Sequence, residues 1–179
     1  LGLPDTLALA GEELLLILPG THSKHLGTRG GEIISMQTFM TGELYSVLSR
    51  HSILRHSVEE PAGIDGLEDA FLEGVHSGSS KGLSGSLFTA RTRQVLDGKT
   101  SRENGAWLSG LLLSAELELA RNEKNRVLVA AGGLLGSMYL LAAAELGIQT
   151  FEAIDEKVLE LAAPAGHALL QRAHRGALS

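Results

Sequence analysis

The sequence predicts an α/β domain, a mixed sheet with helices packed on it, and three observations predict it. The continuous apolar run Leu14 to Leu18 stops at Pro19-Gly20, as a strand covered on both faces would. Trp107, Leu108, Leu111, Leu112, Ala115 and Leu119 form a broad stripe with the period of a helix lying on a sheet. "RVLVAAGG" then places a second buried strand, Arg126 to Ala130 or Ala131, before a glycine pair and a further apolar helix. A helical bundle needs no paired breaks at Pro19-Gly20 and Gly132-Gly133, and a β-sandwich does not accommodate so much helix.

The elements follow in order. The chain opens on "LGLPDTLALAGEE" with no initiator methionine, as expected of a fragment. After the first strand, Arg29, Gly30 and Gly31 read as a turn into a strand at Glu32 to Phe39. That strand has Ile34, Met36 and Thr38 on one face and Ile33, Ser35 and Gln37 on the other, and it is expected to form a hairpin with the first, in a meander of two or three strands. Thr41 reads as the cap of a helix with Leu44, Val47, Leu48 and Leu54 on one face, and Glu60 to Gly66 is a link. A short helix over Leu67 to Val75 precedes "HSGSSKGLSGS", which reads as a flexible polar loop, and Leu87 to Leu96 is another short helix closed by Asp97-Gly98. The long helix covers Arg102 to Arg121. The helix after the glycine pair covers Leu134 to Leu146 and stops at Gly147. A strand at Ile148 to Phe151 and a helix opened by Asp155, with Val158, Leu159 and Ala162 inward, complete the order.

Composition narrows the partners. With 44% hydrophobic and 20% charged residues in 179, the chain is long enough to bury a core without staples. A net charge of -6 and the lack of any dense Lys/Arg run exclude a nucleic-acid partner from the expectation. The chain has no cysteine, which removes disulfides, thiolate zinc sites and thiol nucleophiles together and fits a cytoplasmic location. No membrane partner is expected either: Leu14 to Leu18 is too short to span a bilayer, and Trp107 to Leu119 carries Glu116 and Glu118.

Ligands of such sheets lie outside the carboxyl ends of the strands, and both glycine-bearing breaks fall there. "LPGTHSKH" reads in two ways. It is either a hairpin turn with solvated His22 and Lys24, or a phosphate loop. In the second reading Gly20 admits a close backbone approach, Thr21 and Ser23 donate hydroxyl hydrogens and Lys24 supplies a mobile positive charge, while His22 orients the loop or touches phosphate. Ser23 stands beside His22 but outside any Gly-x-Ser-x-Gly elbow, and adjacency points the two side chains apart. Gly132-Gly133 is likewise either a close-packed turn or a ligand contact at a helix N-terminus. The intervals in "GGLLGS" match neither the dinucleotide fingerprint nor a Walker loop. The seven histidines fall in no metal-ligand spacing, and no metal site is expected among them; the Arg-His-Ser repeat at Arg50 and Arg55 reads as surface. Glu43, Asp65, Asp69 and Glu116 are the carboxylates nearest apolar elements. None has a base partner beside it in sequence, so no acid–base set assembles.

"LPGTHSKH" at 18–25, "FMTGELYSVLSRHSIL" at 39–54, "FLEGV" at 71–75, "GLSGSLFTARTRQVL" at 82–96, "WLSGLLLSAEL" at 107–117 and "AAGGLLGSMYLLAAAELG" at 130–147 together resemble the C-terminal half or more of the 2-dehydro-3-deoxygalactonokinase family. His25 departs from the family, which usually shows tryptophan there, a matter of tuning in the loop. The resemblance implies an ATP-dependent sugar-acid kinase of the sugar kinase, Hsp70 and actin superfamily, with two ribonuclease-H-like domains closing on a cleft. Residues 1–179 then correspond to the C-terminal nucleotide-binding domain, the N-terminal domain being absent from this chain. Gly20, Thr21, His22, Ser23 and Lys24 become the second phosphate loop, Gly132 and Gly133 the adenosine motif, and "MTGEL" steadies the hinge side of the cleft. The first phosphate loop with its metal-orienting aspartate, the general base and most of the sugar-acid pocket are expected upstream of Leu1. The implied reaction moves the terminal phosphoryl group of ATP, with Mg2+, to the 6-hydroxyl of 2-dehydro-3-deoxy-D-galactonate. Another sugar kinase of the same superfamily, or a non-catalytic nucleotide-binding module, is the alternative, and a homo-oligomer is left open.

Overall fold

The computed structural model describes residues 12–154 and 157–160. Its strands are β1 (Glu13–Leu18), β2 (Ser23–Arg29), β3 (Glu32–Phe39), β4 (Arg126–Val129) and β5 (Phe151–Ala153). They form one mixed sheet in the order β3-β2-β1-β4-β5. β1 to β3 are an antiparallel meander, whereas β1 pairs in parallel with β4, Ile17 opposite Val129, and β4 in parallel with β5. Parallel pairing requires a crossover, and the helical block between β3 and β4 supplies it.

The expected direct hairpin between the first strand and Glu32–Phe39 is corrected by β2, which lies between them. β2 escaped the sequence pattern because its inward positions are polar: Ser23, His25 and Thr28 are buried with Leu26, while Lys24 and Arg29 face out. β3 matches its expected span, but Ile33, Ile34 and Met36 are all about half exposed or more, so no two-faced burial follows from its alternation.

The helices are α1 (Thr41–His51), α2 (Glu68–Lys81), α3 (Leu83–Ser86), α4 (Thr89–Leu96), α5 (Ser101–Leu117) and α6 (Gly133–Glu145), with 3₁₀ turns at Ile53–His56 and Leu119–Asn122. α5 starts at a capping box between Thr100 and Glu103 and buries Trp107, Leu108, Leu111 and Leu117 completely. The flexible loop expected after Val75 is not there. α2 continues to Lys81, because its glycines are contact surface: a Cβ on Gly74 would lie 2.0 Å from the carbonyl oxygen of Trp107, and one on Gly110 of α5 would lie 2.0 Å from that of Phe71. The two backbones therefore touch, an approach only glycine permits. Arg93 of α4, 8% exposed, ties the block together: its Nε donates to Asn104 at 3.1 Å, its guanidinium stands over the Trp107 ring, and it pairs with Glu73 of α2.

The sheet is covered on both faces, as the apolar run of β1 requires. Ile17, Val127 and Val129 pack with α2, α5 and α6 on one side; Leu14, Leu16, Leu26 and Leu128 pack with Ile154, Val158 and Leu159 on the other. α6 ends as expected at Gly147, whose φ of +74° suits glycine and whose N–H donates to Ala144. The next amide, Ile148, donates to Ala143, so Ile148 belongs to the helix terminus and β5 starts only at Phe151. Asp155 and Ala162 of the last expected helix lie outside the described residues.

Candidate functional site

Because β1 and β4 run in parallel side by side, their carboxyl ends open at the same edge of the sheet. β1 runs out into Pro19-Gly20, and β4 into the glycine pair that starts α6. Gly132 is the N-cap of α6, and Gly133 holds φ at +56° with open space around it, a backbone angle that disfavours any side chain. The free amides of a helix's first turn point toward this edge.

The turn after β1 is clamped by the start of α1. A Cβ on Gly42 would lie 2.9 Å from both the carbonyl oxygen of Gly20 and the Cα of Thr21, so the helix rests directly on the turn. Glu43 N–H donates to the carbonyl of Thr21 at 3.1 Å, and the Glu43 carboxylate meets His22 Nε2 at 2.5 Å. His22 thus ties the turn to α1. Gly20 and Thr21 are exposed, and Lys24 is exposed too, its Nζ donating to the carbonyl of His22 at 3.2 Å. Ser23 is the exception among the five loop residues. It is the first residue of β2, fully buried, and its hydroxyl donates to Glu116 at 2.7 Å, so the expectation of a hydroxyl presented to a ligand is corrected to one turned inward.

Between this turn and α6 lies a cavity of about 270 Å³. Pro19, Gly20, Thr41 and Gly42 form one wall, Leu112 and Leu113 of α5 the floor, and Leu135 and Met138 of α6 the other wall. Tyr45 and Glu60 also border it. Burial and then the charge of Glu60 push the Tyr45 phenol up to about 12, and its hydroxyl oxygen is buried rather than turned to the cavity.

Under the cavity sits the residue that sequence reasoning left without a partner. Glu116 of α5 is 2% exposed, and its Oε1 lies 2.7 Å from Ser23 Oγ, 2.8 Å from the Tyr139 hydroxyl and 3.1 Å from His25 Nε2. Its Oε2 accepts from Thr41 Oγ1. Thr41 is therefore not the cap expected of it; Met40 holds that position and the threonine hydroxyl serves Glu116. Burial alone would push the Glu116 carboxyl up, but the hydrogen bonds from His25, Thr41, Ser23 and Tyr139 outweigh it and hold the group below the ordinary carboxylate range. The same burial, with the Glu116 charge, pushes the Tyr139 phenol well up. The available signal was a lone glutamate inside "LLLSAEL", since a charge buried on an apolar helix face must find donors elsewhere.

Among the described residues no group of three or more His, Asp or Glu is arranged to hold a metal ion. Glu43, whose amide and carboxylate both meet the turn, is occupied by His22.

The mixed α/β sheet with packed helices is of the kind found in the sugar-kinase and actin-like ATPase superfamily. Within it, a family model described as 2-keto-3-deoxy-galactonokinase matches residues 2–163, and the chain belongs to this family. It is 34% identical over 147 residues to a probable 2-dehydro-3-deoxygalactonokinase of Rhizobium meliloti, covering 79% of this chain and 47% of that protein. To the 2-dehydro-3-deoxygalactonokinase of Escherichia coli it is 31% identical over 140 residues, covering 74% of this chain and 46% of that protein. A crystal structure from Sinorhizobium meliloti, provisionally given as a 2-dehydro-3-deoxygalactonokinase, superposes with a TM-score of 0.79 at 30% identity, over 94% of this chain and 56% of its own. The chain thus spans about half the length of the curated relatives it matches.

Proposed function

We propose that residues 1–179 are the C-terminal nucleotide-binding domain of a two-domain, ATP-dependent sugar-acid kinase acting on 2-dehydro-3-deoxy-D-galactonate. The observation that carries the reading is that two glycine-bearing strand ends, Gly20 and Gly132-Gly133, open at one edge of the sheet, with a cavity between the Gly20 turn and the first turns of the helix that the glycine pair begins. Family membership supports it independently.

In this reading the amides of Gly20 and Thr21, the Thr21 hydroxyl and the Lys24 ammonium face the β and γ phosphates. His22 stiffens the turn through Glu43, and Ser23 anchors it from below. Adenosine passes over the Gly132-Gly133 backbone. Catalysis of phosphoryl transfer is mainly positioning and charge stabilisation, and magnesium arrives with the phosphates of the nucleotide. The 6-hydroxyl oxygen attacks the γ phosphorus, the bond to the β–γ bridging oxygen breaks, ADP leaves, and the hydroxyl proton passes to a base that we assign to no residue of this chain. The location proposed is cytoplasmic. Among the described residues no helix is long and apolar enough to cross a membrane.

Mg-ATP titrations of Lys24→Ala and Lys81→Ala test the site. Lys24 borders the turn, whereas Lys81 ends α2 in solvent. Losing one charge-assisted phosphate contact should weaken binding by about 1.5–3 kcal/mol in the first variant only. Equal affinities would return "THSK" to an ordinary turn. A screen of 2-keto-3-deoxy acids and hexoses with Mg-ATP and the complete kinase fixes the acceptor.

A further inference from the structure

Glu116 is the one acid on the buried face of α5, and its four hydrogen-bond donors come from three other elements. Ser23 and His25 belong to β2, at the point where the turn of Gly20 to Lys24 enters the sheet. Thr41 is the first residue of α1, the helix that rests on the same turn. Tyr139 is on α6, whose opening residues are the glycine pair. Thr41 and Tyr139 both line the cavity as well. Each of these elements borders the cavity or carries the turn beside it.

Apolar packing of equal volume would fill this space and spare the cost of burying a charge, often with no loss of stability. What apolar packing lacks is direction: four hydrogen bonds to one carboxylate fix where three elements stand relative to one another. We propose that Glu116 is a positioning residue for the nucleotide, holding the phosphate turn and the start of α1 at a set distance from α6. This rests on the nucleotide reading above. Glu116 touches no ligand; it acts through Ser23, Thr41 and Tyr139. A ligand that reaches from the turn to the glycine pair depends on that distance, whereas one that contacts the glycine pair alone does not.

ATP and adenosine therefore separate the roles. In Glu116→Gln the affinity for Mg-ATP should fall about tenfold, the effect of losing hydrogen bonds to a charged group, while adenosine affinity on the folded fraction stays within about twofold. Tyr139→Phe keeps the ring and removes a single hydroxyl, so it carries the same test should the glutamine variant fail to fold; there the ATP-to-adenosine affinity ratio should fall several-fold. If the wild-type chain binds neither ligand, the nucleotide reading fails and the positioning role with it. If the wild type binds both and Tyr139→Phe keeps the wild-type ratio, melting lower or not, the reading stands and Glu116 is only a structural acid.

Discussion

A carboxyl group held below its ordinary range in the folded state ties stability to pH in one direction. The unfolded glutamate titrates near about 4.3, so the stabilisation from Glu116 is fully present above that pH and is lost as pH falls through its lower folded value. Glu103, lowered first by the Thr100 backbone N–H of its capping box, and Glu152, lowered first by Arg126, add to the same acid slope from the surface. Melting temperatures between neutral pH and pH 3 should thus fall less steeply in Glu116→Gln, whose amide has no proton to bind. At neutral pH the same variant should be less stable by about 1–3 kcal/mol. Identical acid slopes would show that the group titrates alike in both states. Glu116 and Arg93 were both illegible as a pair or a network in the sequence, for one reason: their partners stand far along the chain, and only folding brings them within hydrogen-bond reach.

Most elements were legible because apolar period and glycine punctuation marked them. β1, β3, β4 and α6 fall within a residue or two of the expected spans, and the Gly147 stop is where it was expected. The misreadings share a cause, small or polar residues doing the work of packing. "HSGSSK" looks like a linker in composition, yet Gly74 and Gly78 let α2 press onto α5, where a Cβ on Gly78 would lie 2.8 Å from the Ser114 side chain. Gly74→Ala tests this reading at the helix crossing. With a carbonyl oxygen 2.0 Å from the new methyl, the helices must part, and overpacking of this severity should cost about 3 kcal/mol. Chemical denaturation would measure it, with Gly85→Ala, at an open position, as the control expected to change little.

Across the whole molecule, the site was legible in outline and not in depth. The two strand ends could be foreseen from Pro19-Gly20 and Gly132-Gly133, because breaks after buried strands of an α/β sheet fall at its ligand edge. That the ends are neighbours could not, since it depends on β4 pairing with β1 across the whole helical block. The same pairing has a consequence in time. Leu14 pairs with nearby Thr28 on one edge but finds its partner on the other only at Arg126, so β1 must wait for the helices to form before its second edge closes, and such distant pairing is slow. The edge where Gly20 meets Gly132 is then among the last features to exist during folding and among the first to be lost. A ligand bound there cannot guide the chain in; it can only delay its coming apart. On the proposed nucleotide reading, stopped-flow experiments should find refolding rates indifferent to Mg-ATP and unfolding slowed by it, the ligand acting as a latch rather than a template.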